Sequence, residues 1–244
     1  MRVRKRTCSQ EERDNRAARL RGVKVRRALS SLLSASLSAL FLCVTPLTML
    51  SGSALSGSAL SGSALSGSVV AAPSAAPVLP VSAYLAAVGH VAQTYNNCGP
   101  AAIVAVLSYY GVRVSQGEVA GVLRPNGGYM LAGVIPPFVT RYGLRATRFR
   151  NGSLEHLRRL AAAGIPVIVL QWMNRPGGIP HFRVVRGYDD AAGLVWLSDP
   201  IYGANVYVKF ADFERLWTLA GQEFVPVYRP QQTALVGRIL NVRL

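Results

Sequence analysis

Residues 93–111, QTYNNCGPAAIVAVLSYYG, contain a polar loop that changes into an apolar run at Cys98. The run predicts a helix, since Asn97 suits the N-cap, Pro100 is tolerated in a first turn and Gly111 suits the stop. A helix leaves its first N–H groups unpaired and carries a partial positive charge at its N-terminus, which favours a thiolate there. Cys98 is therefore a candidate nucleophile, and the alternative is a buried cysteine that acts as a small hydrophobic residue.

Two strand-like segments downstream carry a candidate base and a candidate orienting carboxylate. His181 opens the segment 181–188 and Asp199 closes the segment 194–199, with the turn-forming run 189–193 between them. Short segments rich in Val, Phe, Tyr and Trp on both sides of such a run predict a hairpin. Opposed residue numbers in a hairpin have a constant sum. A sum of 380 or 382 places His181 and Asp199 directly or diagonally opposite each other on one face.

A carboxylate in that position fixes the tautomer of the imidazole and stabilises the imidazolium. Taken singly, His181 fits an ordinary histidine of a sheet and Asp199 fits a turn carboxylate before Pro200. The chain order Cys, His, Asp favours the catalytic interpretation of all three. Gln93 precedes the thiol by five residues, so its side-chain amide can share an oxyanion with the backbone N–H of Cys98; the alternative is an ordinary loop glutamine.

Together these residues resemble the papain-like cysteine peptidases of family 39, typified by the bacteriocin-processing peptidases that cut after double-glycine leaders, and especially their stand-alone relatives. The resemblance covers about residues 85–229 and implies a nucleophile at Cys98, a general base and acid at His181, an orienting residue at Asp199 and an oxyanion donor at Gln93. No Walker-type motif of an ATP-binding cassette occurs in the 244 residues, so double-glycine specificity is not implied. The motifs that carry the resemblance are Gln93 with Asn96-Asn97-Cys98-Gly99-Pro100-Ala101, the run 164–169, His181-Phe182 with Gly187-Tyr188-Asp189, and Asp199-Pro200.

The pattern of the remaining chain predicts one α+β domain over residues 82–230 with the Cys98 helix packed on an antiparallel sheet, followed by a C-terminal tail at 231–244. About 150 residues suffice for a single core. Ser115 and Glu118 form a capping-box pattern before a short helix. Further elements are predicted as a helix at 153–163, a helix interrupted at Pro136-Pro137 within 130–142, and strands at 165–173, 205–210 and 224–228.

Charge and composition argue against two other kinds of site. The formal net charge is +16, but residues 1–27 hold eleven Lys or Arg and three acidic residues and so contribute half of it. The rest is spread widely without a recognition motif, and we expect no nucleic-acid partner. One cysteine and three histidines beyond residue 81 do not make a zinc site, and no metal or cofactor is predicted.

The N-terminal part of the chain predicts export. The basic segment 1–27 precedes residues 28–50, an uncharged stretch of Leu, Ala and Ser long enough to span a bilayer. A basic flank before an apolar run places the N-terminus inside and the following residues outside, as a signal anchor or an export signal does. The alternative is that Met49 initiates a shorter chain. Repeats of Ser-Gly-Ser-Ala-Leu and a Pro- and Ala-rich stretch over 51–81 predict a linker.

We therefore expect a cysteine peptidase that contacts the membrane through its N-terminal segment and works on a peptide or protein substrate outside the cytoplasmic membrane. Cys98 attacks a peptide carbonyl, His181 protonates the leaving amine and the thioester is then hydrolysed. A cell-wall amide fits the same chemistry. The alternatives are a catalytically idle peptide-binding domain of the same fold and a transglutaminase-like acyltransferase, which shares the order Cys, His, Asp.

Overall fold

The computed structural model describes residues 78–244 of the chain. The segments predicted at 1–27 and 28–50, and nearly all of the linker predicted at 51–81, lie outside the described residues. Within residues 78–244 no helix is both long enough and apolar enough to cross a membrane. In chain order the elements are β1 (Ser82–Tyr84), α1 (Cys98–Tyr109), α2 (Gln116–Leu123), α3 (Ile135–Val139), β2 (Arg145–Ala146), α4 (Leu154–Ala162), β3 (Val167–Trp172), β4 (Pro180–Asp189), β5 (Leu194–Asp199), β6 (Gly203–Lys209), α5 (Phe210–Leu216), β7 (Phe224–Tyr228) and α6 (Thr233–Leu240).

The strands form one antiparallel sheet in the order β2-β7-β3-β4-β5-β6, and β1 pairs with the last residues of β4. β4 is the central strand, since it pairs with β3 and β5 as well as with β1. All of its residues from His181 to Tyr188 are buried, because helices cover both faces of the sheet. The predicted α+β class is confirmed.

Side chains alternate between two apolar layers, as the two-residue period of a strand requires. Ile168 and Val184 pack with α1, α2 and α3 on one face. Val167 and Val185 pack with α4, α5 and α6 on the other. Helix α1 is buried at every position from Ala101 to Leu107, as expected of a helix that is apolar all round.

Most predicted elements lie within two residues of their expected bounds. The capping box of α2 is present, with the Ser115 hydroxyl accepting from the Glu118 N–H at 3.1 Å and the Glu118 carboxylate accepting from the Ser115 N–H at 2.6 Å. Pro136 and Pro137 lie in the first turn of α3, where a proline is tolerated, and short 3-10 turns flank that helix.

The C-terminal part differs from the prediction. Residues 231–244 were expected to be a tail, but they contain α6, whose Val236 and Leu240 are buried in the layer formed by α4 and α5. The folded unit therefore continues past residue 230. The apolar spacing of this short helix is the sequence signal that the prediction did not use.

Candidate active site

Cys98 is the first residue of α1 and is 9% exposed. Asn97 occupies the N-cap position, as predicted, but its side chain does not cap the helix, so that part of the prediction is wrong. Instead the Asn97 amide donates to the Thr94 hydroxyl at 2.7 Å and accepts a hydrogen bond from Arg124 at the end of α2. With no side-chain cap in the way, the backbone N–H of Gly99 in the first turn of α1 hydrogen-bonds to the thiol.

Arg124 also fixes the loop before the thiol. Its guanidinium donates to the backbone oxygen of Asn96 at 2.7 Å. Asn96 has a φ of 57°, a left-handed conformation that asparagine adopts more readily than most residues. This contact from a residue 28 positions along the chain holds the turn that delivers Cys98 to the start of its helix.

The β4–β5 hairpin brings His181 and Asp199 together. Val184 opposes Ser198, so opposed residue numbers at this end of the hairpin add to 382, and the two predicted residues are diagonal neighbours. The Nε2 of His181 lies 2.9 Å from Oδ1 of Asp199, and both side chains are fully buried. A β-bulge between Val185 and Gly187 changes the register only beyond this end.

The residue directly opposite Asp199 in this register is Arg183, which sequence analysis missed. Its Nε donates to Oδ2 of Asp199 at 2.6 Å, and the arginine is only 4% exposed. The signal was available in the predicted hairpin, because a sum of 382 opposes residue 183 to residue 199.

The second ring nitrogen of His181, Nδ1, is buried and makes no well-aligned hydrogen bond within residues 78–244. The Cys98 thiol is nevertheless close enough to the ring to shift the pKa of both side chains. Catalytic hydrogen bonds are often long or poorly aligned until a substrate is bound. The structure therefore arranges Cys98, His181 and Asp199 as one buried chain of side chains, in that order.

The electrostatics of these three side chains favour a negative charge on the Cys98 thiol and a positive charge on the His181 ring. Burial by itself raises the pKa of the Cys98 thiol, but the hydrogen bond and charge of His181, with backbone hydrogen bonds from Phe182 and Gly99, outweigh it and lower that pKa below its ordinary value. Burial likewise lowers the pKa of His181, yet the Asp199 carboxylate and the Cys98 thiol raise it overall. A lowered cysteine pKa and a raised histidine pKa are the two conditions for a thiolate–imidazolium pair.

Asp199 remains ionised in this buried position. Burial raises the pKa of its carboxyl group, but the charges of His181 and Arg183 and their hydrogen bonds hold it far below the usual range. Backbone N–H groups of Ile201 and Tyr202 also donate to its Oδ1, at 2.8 and 3.2 Å. The carboxylate is thus held by charge and by hydrogen bonds from two segments of chain, β4 and the turn that follows β5.

Gln93 lies in the loop between β1 and α1. Its backbone N–H donates to the oxygen of Pro200, the residue after Asp199, at 3.0 Å. Its side-chain Oε1 is buried and makes no hydrogen bond within the described part of the chain. The loop that carries the predicted oxyanion donor is therefore attached to the strand end that carries Asp199.

The part of the chain that the structure describes contains no group of three or more His, Cys, Asp or Glu side chains that could hold a metal ion. The residues brought together are suited to nucleophilic chemistry: a thiol of lowered pKa, an imidazole beside it and a carboxylate behind the imidazole.

Comparison with known proteins gives a family match over the same region. The profile described as the Peptidase_C39 like family matches residues 85–225, more than half of the chain. A C39-like peptidase from Bacillus anthracis has a similar fold, with a TM-score of 0.50 and 20% identity over 61% of this chain and 98% of that one. None of the curated proteins matches the sequence.

Two other solved structures are similar over a comparable region. One is a double glycine motif protease from an AMS/PCAT transporter in complex with the leader peptide, at TM-score 0.46 and 23% identity over 58% of this chain and 91% of that one. The other is the peptidase domain of Streptococcus ComA, at TM-score 0.47 and 18% identity over 57% and 96% of the two chains.

Proposed function

Since this chain belongs to the Peptidase_C39 like family, we propose that it is a cysteine peptidase that hydrolyses peptide bonds through Cys98, His181 and Asp199. The observation that carries the proposal is the buried sequence of contacts from the thiol through the imidazole to the carboxylate. Family membership supports peptidase chemistry, and the three side chains supply each role that this chemistry needs.

In the first half of the reaction the His181 imidazole holds the proton of the Cys98 thiol. The thiolate attacks the carbonyl carbon of the peptide, and the bond between that carbon and the leaving nitrogen breaks as His181 passes its proton to the nitrogen. The N-terminal part of the substrate is then held as a thioester on Cys98.

In the second half His181 takes a proton from water, and the resulting hydroxide attacks the thioester and releases the acid. Asp199 keeps the proton-bearing Nε2 of the ring turned away from the thiol, so that Nδ1 exchanges protons with Cys98 and the substrate. The backbone N–H of Cys98 and the amide of Gln93 stabilise the oxyanion that forms in each half.

A peptide cleavage assay tests the proposal. The full chain, solubilised in detergent, is incubated with a panel of unstructured peptides that includes double-glycine sequences, and the products are identified by mass spectrometry. We expect cleavage by the parent and none by Cys98→Ala, whose helix is still held by its buried apolar residues. A Cys98→Ala variant with parental turnover would show that the nucleophile is assigned wrongly.

The rate at which iodoacetamide alkylates Cys98, measured beside peptide binding and cleavage, separates the enzyme from an idle binding domain. A parent that binds peptides without cutting them, and whose Cys98 reacts with iodoacetamide no faster than free glutathione, would support the idle domain. Rapid stoichiometric labelling at Cys98 would support the enzyme, because only an activated thiol reacts faster than an ordinary one.

A further inference from the structure

Arg183 is a buried charged residue that the proposed reaction has not used. It is 4% exposed, and a charge removed from water to this extent destabilises the fold unless it is paired and hydrogen-bonded. Besides Asp199, its guanidinium donates from Nη1 to the Gln171 side chain at 3.2 Å and to the Trp172 oxygen at 3.2 Å, and from Nη2 to the Met173 oxygen at 2.7 Å. These three hydrogen bonds fix the guanidinium against the end of β3, and the fourth joins it to Asp199.

The contacts continue on the far side of the arginine. Gln171 is 1% exposed, and its Nε2 donates to the backbone oxygen of Phe213 in α5 at 3.2 Å. The Oε1 of Gln171 accepts from Arg183, so hydrogen bonds at both polar atoms fix the orientation of the Gln171 side-chain amide. The Asp199 carboxylate is thereby connected through Arg183 and Gln171 to a helix outside the site.

The two oxygens of Asp199 have different tasks. Oδ1 accepts from His181 and from two backbone N–H groups, whereas Oδ2 accepts from Arg183. The arginine therefore sets the rotation of the carboxylate and, with it, the direction in which Oδ1 meets the imidazole.

We propose that Arg183 is a positioning residue of the site: it fixes the Asp199 carboxylate against His181 and offsets part of its negative charge, so that the imidazolium can release its proton to the leaving amine. The inference rests on the proposed function. Two negative groups, the Asp199 carboxylate and the Cys98 thiolate, hold the proton on His181, and Arg183 is the positive group that opposes them. An acid that holds its proton too tightly is a poor proton donor near neutral pH.

Two further groups that can carry a charge lie near Asp199, namely His90 and Arg186. The half-buried His90 lies near the Asp199 charge, and its Nδ1 lies 3.5 Å from the Ser198 hydroxyl. Arg186 acts on His90 in the opposite sense to Asp199. The charge that acts directly on His181 in opposition to Asp199 is that of Arg183.

Arg186 offers a matched control on the same strand. It is also 4% exposed, and it donates to the backbone oxygens of Ala204 at 2.6 Å and Ala86 at 2.8 Å and to the Asn205 side chain at 2.9 Å. Its partners hold β1 and β6 rather than Asp199. Loss of either arginine therefore removes a buried charge and a similar set of hydrogen bonds, but only loss of Arg183 changes the charge beside the triad.

The test is the rate at which iodoacetate alkylates Cys98, measured from about pH 4 to about pH 10. It is carried out on the full chain in detergent with Cys8→Ser and Cys43→Ser, so that only Cys98 reacts. The imidazolium attracts the carboxylate of the reagent, so the rate falls at high pH when His181 loses its proton. The midpoint of that fall reports on the proton held by His181 within the thiolate–imidazolium pair.

Removing a positive charge near an imidazolium makes its proton harder to lose. We expect Arg183→Gln to move the upper midpoint upward by about one pH unit, the lower end of the range of about 1–3 units that a neighbouring charge produces. Arg183→Lys, which keeps the charge, returns the midpoint towards the parental value. Arg186→Gln lowers the stability to urea but leaves the midpoint unchanged.

A folded Arg183→Gln protein with the parental midpoint overturns the inference and leaves the proposed function intact. A parent in which Cys98 titrates as an ordinary thiol at about pH 8.5, without an upper fall, overturns the proposed function itself. If Arg183→Gln does not fold, Gln171→Glu is the second variant, because a carboxylate on the far side of the guanidinium competes with Asp199 for its charge. The upper midpoint must then also rise, and an unchanged value contradicts the inference.

Discussion

Cys98 and His181 combine two properties that normally oppose each other, burial and a tendency to carry charge. Burial raises the pKa of a thiol and lowers that of an imidazole, and in this site neighbouring groups reverse both effects. The arrangement depends on pairing, because each charge of the network lies against one of opposite sign. Removal of a single member therefore leaves an unpaired buried charge, whose cost exceeds that of losing one contact.

Gln93 should act at a different step from the triad. We expect Gln93→Ala to lower the turnover of a cleaved peptide by roughly a hundredfold while the alkylation rate of Cys98 stays near that of the parent, because an oxyanion donor stabilises the tetrahedral intermediate and not the thiolate. The measurement is kcat beside the iodoacetamide rate at neutral pH.

The control for this prediction is Gln116→Ala. The Gln116 side chain holds the same loop by accepting from the Thr94 N–H at 2.8 Å and donating to the Ala92 oxygen at 3.0 Å, and it has no proposed role in the reaction. Equal losses of turnover in both variants would mean that Gln93 matters only for loop structure.

The sequence predicts the residues of the proposed triad better than their surroundings. Cys98 is marked by the change from polar loop to apolar helix, and the turn between the two strands limits how His181 and Asp199 can face each other. The choice between direct and diagonal opposition depends on the turn geometry, which composition does not specify, and Arg183 was missed for that reason. The engagement of Asn97 by Arg124 depends on a contact between distant positions, which no local propensity can indicate.

At the scale of elements, helices α1, α2 and α4 follow from local patterns; α1 and α4 lie within two residues of their expected bounds, and α2 starts directly after the Ser115 of its capping box. Each has a start signal or an apolar run that is complete within its own sequence. The two- and three-residue strands β2 and β1 carry no such pattern and exist because longer strands offer them a partner. The sheet order is set by these long-range pairings, so sequence periodicity cannot supply it.

Two glycines allow a test of how elements are held. In Gly187→Ala the new Cβ meets the backbone oxygen of Ala83, with the Cα of Tyr84 at 3.0 Å, so β1 must move away from β4. We expect the free energy of unfolding to fall by about 1–3 kcal/mol, the usual cost of overpacking. Urea denaturation followed by tryptophan fluorescence measures it, since all three tryptophans lie beyond residue 81.

The matched control is Gly121→Ala on the exposed side of α2, where a Cβ meets nothing within 4 Å. Alanine is the better helix former, so this variant should be more stable than the parent by about 0.5–1 kcal/mol. A Gly187→Ala protein as stable as Gly121→Ala would show that the contact between β1 and β4 is not tight in solution.

For the whole molecule, the site lies where helix α1 meets the central strands of the sheet. The thiol belongs to the helix that covers one face of the sheet, and the imidazole and carboxylate belong to adjacent central strands. Packing of α1 on β4 therefore sets the distance between the thiol and the imidazole, and buried apolar side chains, Phe182 and Val184 of β4 among them, make up the layer between the two elements. A rigid apolar contact of this kind suits a site that must hold reacting groups in register.

We also propose that the domain is located on the outer side of the cytoplasmic membrane, because eleven basic residues precede the uncharged run 28–50. Protease added to intact spheroplasts should then digest the domain, whereas a cytoplasmic protein followed in the same sample should survive. Full protection, with the protein in the soluble cytoplasmic fraction, would contradict export and favour initiation at Met49.

The central claim is that Asp199 and His181 together hold Cys98 as a thiolate. It is tested most directly by the rate of iodoacetamide alkylation of Cys98 against pH in the parent, His181→Ala and Asp199→Asn, all with Cys8→Ser and Cys43→Ser. His156→Ala, which alters a half-buried histidine on α4, is the control and should keep the parental profile.

The sign of the expected change follows from charge: an imidazolium stabilises the thiolate, so losing it raises the pKa of the thiol. In the parent the alkylation rate should reach its plateau at a lower pH than the rate of an ordinary thiol does, because the pKa of Cys98 is lowered. In both His181→Ala and Asp199→Asn the midpoint should rise towards the free value of about 8.5, and at least as far in His181→Ala. An unchanged profile in both variants would show that neither residue acts on the thiol, and the triad would have to be abandoned.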